Sequence, residues 1–166
     1  MIPTHRIKLP NSNELHISSL WRAADIHHDY EWVVSLLDPG MYPGFHHMGG
    51  HHIFHVDDTE NPTRHDTLLT ERDIRFLTSL KVSPGHKALV HCHAGISRST
   101  AIGSMIAFAN GASLEDIRSG LDWDIASPNM LILDWSKAVL GTDLVVPISQ
   151  WWLAHRPEVD NGPYSR

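Results

Sequence analysis

The stretch Val90-His91-Cys92-His93-Ala94-Gly95-Ile96-Ser97-Arg98-Ser99 puts the chain's single cysteine six positions before an arginine, with a glycine between them. A cysteine attacks as the thiolate, and converging backbone N–H groups, a helix N-terminus and a cation all favour that anion. The same three features suit a tetrahedral oxyanion. The N–H groups of residues 93–98 can curl around it, the following helix can aim its positive end at it, and Arg98 can clamp two of its oxygens. The chemistry implied is attack by sulfur on a phosphoryl group.

Such a loop needs a strand before it and a helix after it. Ala88, Leu89 and Val90 form a short apolar run after the Pro84-Gly85 turn signal and read as a buried strand. Ile102, Met105, Ile106 and Ala109 then keep the i, i+3, i+4, i+7 spacing of one apolar helix face, and Asn110-Gly111 supplies the stop. Upstream, Leu15 and Ile17 alternate as in an edge strand. Trp32 to Leu37 reads as an interior strand ended by Asp38-Pro39-Gly40, and the Gly, Pro and His-rich stretch 38–50 as a surface loop before a strand near Ile53 to Val56. Thr70-Glu71-Arg72-Asp73 has the form of a capping box ahead of Ile74, Leu77 and Leu80. Ser113 caps a short helix, and Ser127-Pro128 opens another with Leu131, Trp135 and Val139 on its apolar face and Gly141 as its stop. Strands alternating with helices predict an α/β fold, a central mostly parallel sheet flanked by helices.

His91-Cys92-x-x-Gly95-x-x-Arg98-Ser99 resembles the signature loop of the cysteine-dependent protein tyrosine phosphatase superfamily, and Ala94-Gly95-Ile96-Ser97-Arg98-Ser99 is closest to its dual-specificity branch. The resemblance runs from about Trp32 to about Leu140. It implies a phosphatase-like sandwich and metal-independent hydrolysis of phosphomonoesters through a phosphocysteine. It also implies that Cys92 is the nucleophile and that the loop from His93, Ala94, Gly95, Ile96 and Ser97 to Arg98 binds phosphate. Ser99 would then stabilise the departing sulfur, and His91 would brace the loop. Pro128-Asn129 matches the Pro-Asn pair that opens a late helix in the family, a structural role.

A thiolate needs an acid to protonate the leaving oxygen and a base to activate water afterwards, and one carboxyl group can serve both steps. The resemblance places it on a loop after the strand that precedes the strand of the signature loop. His55-Val56-Asp57-Asp58-Thr59 occupies that place. The register favours Asp58, with Asp57 as the alternative and as a supporting residue. Asp66 and Asp73 rank lower, since Asp73 suits a helix N-terminus.

With 166 residues the chain has the length of a single phosphatase domain, and 156–166 reads as a frayed tail. A formal net charge of −6 and no run of like charge give no footprint for nucleic acid. Met1 to Arg6 lacks an apolar leader core, and no stretch reaches the about eighteen apolar residues of a membrane span. A cytoplasmic location with no membrane partner is therefore expected. A lone cysteine leaves no resolving thiol, which argues against an arsenate reductase. Fourteen histidines bunch partly at 27–28, 46–47, 51–52 and 55, but their spacing matches no standard zinc pattern. Neither metal nor cofactor is expected. The expected partner is a phosphorylated protein or a small phosphomonoester, and no oligomeric state is specified. Positions 93 and 96 hold no lysine, which weakens a phosphoinositide reading. A binding module that captures phosphate without turnover is the competing class, and a sulfurtransferase is disfavoured by Arg98-Ser99. Trp151-Trp152 reads as apolar cover.

Overall fold

The computed structural model describes residues 4–155; the tail expected over 156–166 lies outside them. Among the described residues five strands form one sheet: β1 (His5–Leu9), β2 (Asn13–Ser19), β3 (Val33–Leu37), β4 (His51–His55) and β5 (Lys87–Cys92). Their order is β1-β2-β5-β3-β4, with β1 antiparallel to β2 and every other pairing parallel. The expected mostly parallel α/β sheet is what forms. The edge assignment is corrected: β2 lies inside the sheet, and the edge beside it is β1, whose His5, Ile7 and Leu9 are buried at every second position. The strand expected near Ile53 begins two residues earlier, at His51. Its histidines carry no hydropathy signal that would have marked the start.

Among the described residues seven α-helices flank the sheet: α1 (Leu20–Ile26), α2 (Glu71–Ser79), α3 (Arg98–Ala109), α4 (Leu114–Gly120), α5 (Met130–Leu133), α6 (Trp135–Leu140) and α7 (Val145–Ala154). Alternation along the central strands sorts their side chains. Ala88, Val90 and Cys92 of β5 join Val34 and Leu36 of β3 in the large core that also holds Ile102, Met105 and Ile106 of α3. Val33 and Leu89 pack with Ala23, Ile26 and Tyr30 in a smaller cluster on the α1 side. Each fully buried Leu or Ile contributes roughly 1.5–3 kcal/mol relative to exposure.

α3 is not the amphipathic helix its spacing predicts. Arg98 through Ala107 are all buried, because the helix lies between the sheet and the other helices. Gly103 permits that approach, since a Cβ there would sit 2.5 Å from Ile17 Cδ1. Thr70 and Ser113 each close a full capping box, with Asp73 and Asp116. The helix expected from Ser127-Pro128 to Gly141 forms in two segments: Asn129 caps α5, Asp134 joins it to α6 at φ −58° and ψ −27°, and α6 ends on Gly141 at φ 70°. Ile132, Leu133 and Ser136 are its buried positions, while Leu131 and Trp135 are half-buried and border a cavity of about 140 Å³ with Val56 and Leu69. Trp151 and Trp152 on α7 are half-buried against the core, Trp151 meeting Trp123 edge-on at 5.8 Å. No helix among the described residues is long and apolar enough to cross a membrane.

Candidate active site

Cys92 ends β5 and is 1% exposed. The backbone turns directly after it. Gly95, at φ 78°, brings the loop so close to β2 that a Cβ would lie 2.5 Å from Ser18 C and Ser19 N, which only glycine satisfies. Two groups reach the sulfur: the Gly95 N–H donates to it at 3.3 Å, and Ser99 Oγ lies 3.1 Å away. Among the described residues no side chain caps α3, so its first-turn N–H groups face the loop interior without a competing cap. Outer contacts hold the loop in place. Leu20 N–H donates to the His93 carbonyl at 3.1 Å, and Ser127 N–H to that of Ile96 at 3.1 Å.

His5 of β1 supplies a brace that the sequence did not announce. The Asp122 N–H donates to His5 Nδ1 at 3.0 Å, so the imidazole proton sits on Nε2, which is 3.2 Å from the Gly95 carbonyl. Burial lowers the pKa of His5 and keeps it in this neutral form.

Arg98 begins α3 and is buried. Its Nη1 donates to Asp38 Oδ1 at 2.6 Å and to the Val56 carbonyl at 2.7 Å. Its Nε is buried, makes no hydrogen bond among the described residues, and lies 3.6 Å from Asp58 Oδ2. Asp38, which the sequence marked only as a turn residue, thus grips the guanidinium from the end of β3.

The two aspartates after β4 divide. Asp58 Oδ1 accepts from Ser97 Oγ at 2.7 Å and from Asn129 Nδ2 at 3.1 Å, so its carboxylate faces the loop. Asp57 points away: its Oδ2 accepts from Thr67 N–H at 2.7 Å, and its own N–H donates to the Thr67 carbonyl at 2.8 Å. Asp57 therefore ties down the segment that carries Asp58. Asn129 caps α5 through Ile132 N–H and holds both Asp58 and the Thr59 carbonyl. Asp66 caps an exposed turn at Thr63, and Asp73 belongs to the α2 box, so neither reaches the loop.

His91 points to the opposite face of the sheet from Cys92. Its Nε2 is 2.6 Å from Ser35 Oγ and its Nδ1 is 3.4 Å from the Cys92 carbonyl. Burial pushes its pKa down to about 4, so it is neutral at pH 7. Among the described residues no three His, Cys, Asp or Glu side chains form a group that could hold a metal ion.

No protein-family profile and no curated protein sequence matches this chain. Solved structures do. Human DUSP28 aligns with a TM-score of 0.54 at 20% identity, covering 93% of this chain and 96% of that one. A mouse putative dual specificity phosphatase, complexed with zinc tungstate, aligns at 0.52 and 19% identity over 90% and 93% of the two chains. A point variant of human DUSP28 gives 0.51 and 21% over 92% and 97%.

Proposed function

We propose that this chain, which has the fold of the dual specificity phosphatases, hydrolyses phosphomonoesters on proteins, at tyrosine or with dual specificity, without metal. The observation that carries the reading is the sulfur of Cys92 within reach of the Gly95 N–H and Ser99 Oγ, in a loop whose Ser97 hydroxyl donates to Asp58 and whose Arg98 Nε lies 3.6 Å from the same carboxylate.

Cys92 Sγ attacks phosphorus in line and forms the S–P bond as the bond to the leaving oxygen breaks. The loop amides and the free Nε edge of Arg98 hold the equatorial oxygens, where charge accumulates. Asp38 and the Val56 carbonyl occupy Nη1 and so aim that edge inward. Asp58 gives its proton to the departing oxygen. As a carboxylate it then takes a proton from water, whose oxygen attacks phosphorus and releases Cys92 as thiolate. The Ser99 hydroxyl donates to that sulfur as it leaves. Ser97 and Asn129 set the reach of Asp58, since both donate to the same oxygen.

The contact of the Asp58 carboxylate with Ser97 Oγ supports turnover over capture of phosphate without turnover. Hydrolysis of a chromogenic aryl phosphate across about pH 5 to 8 with chelator present tests the reading. Turnover that disappears in Cys92→Ser supports it; a folded parent that binds vanadate and hydrolyses nothing overturns it.

A further inference from the structure

The bonds around His91 continue past Ser35. Nε2 of His51 is 2.7 Å from the same Ser35 Oγ, and the backbone N–H of His47 donates to Nδ1 of His51 at 3.4 Å. Sheet register sets this up. Ser35 pairs with His91 across β3 and β5, and Val33 pairs with His51 across β3 and β4, so His51 reaches Ser35 on the diagonal of the same face.

The two ends of this row of bonds dictate one direction. A backbone N–H only donates, so His51 Nδ1 accepts and the proton of that ring is on Nε2. It goes to Ser35 Oγ, whose own hydrogen goes to His91 Nε2. His91 then carries its proton on Nδ1, beside the Cys92 carbonyl. Starting from the other end gives the same answer, because a carbonyl oxygen only accepts. The ring of Phe45 lies over the row, stacked on His51 at 5.1 Å and on His27 at 4.4 Å, with His91 at 5.6 Å. Burial first, and the imidazoles of His46, His47, His27 and His52 after it, lower the pKa of His51 to about 4, and His91 faces it across Ser35. Both rings are neutral at pH 7, so each has one tautomer to choose and the bonds choose it.

We propose that His51 is a positioning residue for Cys92: through Ser35 it holds His91 as the Nδ1–H tautomer, whose proton pins the Cys92 carbonyl where β5 enters the loop. The proposal rests on reading Cys92 as the nucleophile. Without His51 the Ser35 hydroxyl loses its donor and can turn, and His91 can move its proton to Nε2. A lone pair then faces the Cys92 carbonyl, and the peptide that aims the loop at the sulfur is released.

Cys92 is the only cysteine, so alkylation by iodoacetamide, read by intact mass at about pH 6, reports on this sulfur alone. The variants are His51→Phe, which keeps a ring on Phe45 and removes the donor, Ser35→Ala, and His51→Gln, whose amide replaces the Nε2–H. We expect His51→Phe and Ser35→Ala each to slow alkylation about fivefold to tenfold, the worth of one hydrogen bond. The double variant should be no slower than either single one, and His51→Gln should stay within about twofold of the parent. Parent-rate alkylation in folded Ser35→Ala or His51→Phe overturns the proposal, as does a His51→Gln rate as low as that of His51→Phe. Should His51→Phe fail to fold, Ser35→Ala and His51→Gln decide the matter alone. The readout needs no substrate turnover, so a failure of the phosphatase reading appears separately, as absent hydrolysis.

Discussion

Oδ1 of Asp38 accepts a hydrogen bond from Nη1 of Arg98 at 2.6 Å, across a separation of 60 residues. This pair joins the end of β3 to the start of α3 and sets the direction in which a buried guanidinium presents its remaining donors. Asp38 is 45% exposed at its side chain, so its removal should affect the site more than the fold. Asp38→Ala is expected to lower kcat/KM for an aryl phosphate by about tenfold to a hundredfold, mostly through KM, because phosphate is held in both ground and transition states. Asp38→Asn, which keeps an acceptor, should recover part of the loss. Steady-state kinetics equal to the parent's in Asp38→Ala would remove Asp38 from this role.

Asp58 and Asp57, adjacent in sequence, should separate cleanly. Asp58→Ala is expected to cost about a hundredfold to ten-thousandfold in kcat, with the largest loss for the most basic leaving groups. Asp57→Ala should keep the parent pH profile and instead lower the melting temperature, as it loses its bond to Thr67 N–H. A pH–rate profile and a thermal melt on both variants check this, and the reverse pattern would exchange their roles.

The close approach at Gly95 yields a binding prediction. Gly95→Ala puts a methyl at φ 78° and 2.5 Å from two backbone atoms of β2, a conflict that backbone must resolve by moving. The variant should keep its circular dichroism and lose vanadate affinity by at least about tenfold. Parent-like affinity in calorimetry would show that the loop does not need this contact.

His91 makes folding sensitive to acid. The unfolded chain protonates this histidine near its ordinary value of 6.5, the folded chain only near about 4. Between those values the unfolded state holds more protons, so stability is complete above about pH 6.5 and falls as the pH drops towards 4, by roughly 3 kcal/mol from this group. His5, His16 and His51 are lowered too and act in the same direction. Urea midpoints at several pH values for the parent and His91→Asn test this. The variant should show a shallower decline, and an identical decline would assign the effect elsewhere.

What could be read in the sequence was what lies close together along the chain. Cys92 ends β5, Gly95 lies in the turn, and Arg98 and Ser99 open α3, so the types and spacing behind the proposed chemistry fall in one short stretch. Capping boxes at Thr70 and Ser113 are equally local. Asp38, Ser35, His51 and His5 reach the loop only through sheet pairing or a turn far along the chain, and nothing in their immediate neighbours signals it. The division of α5 from α6 was hidden for another reason: Asp134 keeps right-handed helical dihedrals, and its N–H still donates to the Met130 carbonyl, so the apolar spacing runs on through it.

The proposed hydrolysis depends on phosphoryl transfer through Cys92. Acid quench of Asp58→Ala during reaction with an aryl phosphate, followed by intact-mass and peptide analysis, tests it most directly, because loss of the base should let the intermediate accumulate. One phosphoryl group is expected, on Cys92, absent from Cys92→Ser. A phosphoryl group on another residue, or turnover that survives in Cys92→Ser, would contradict it.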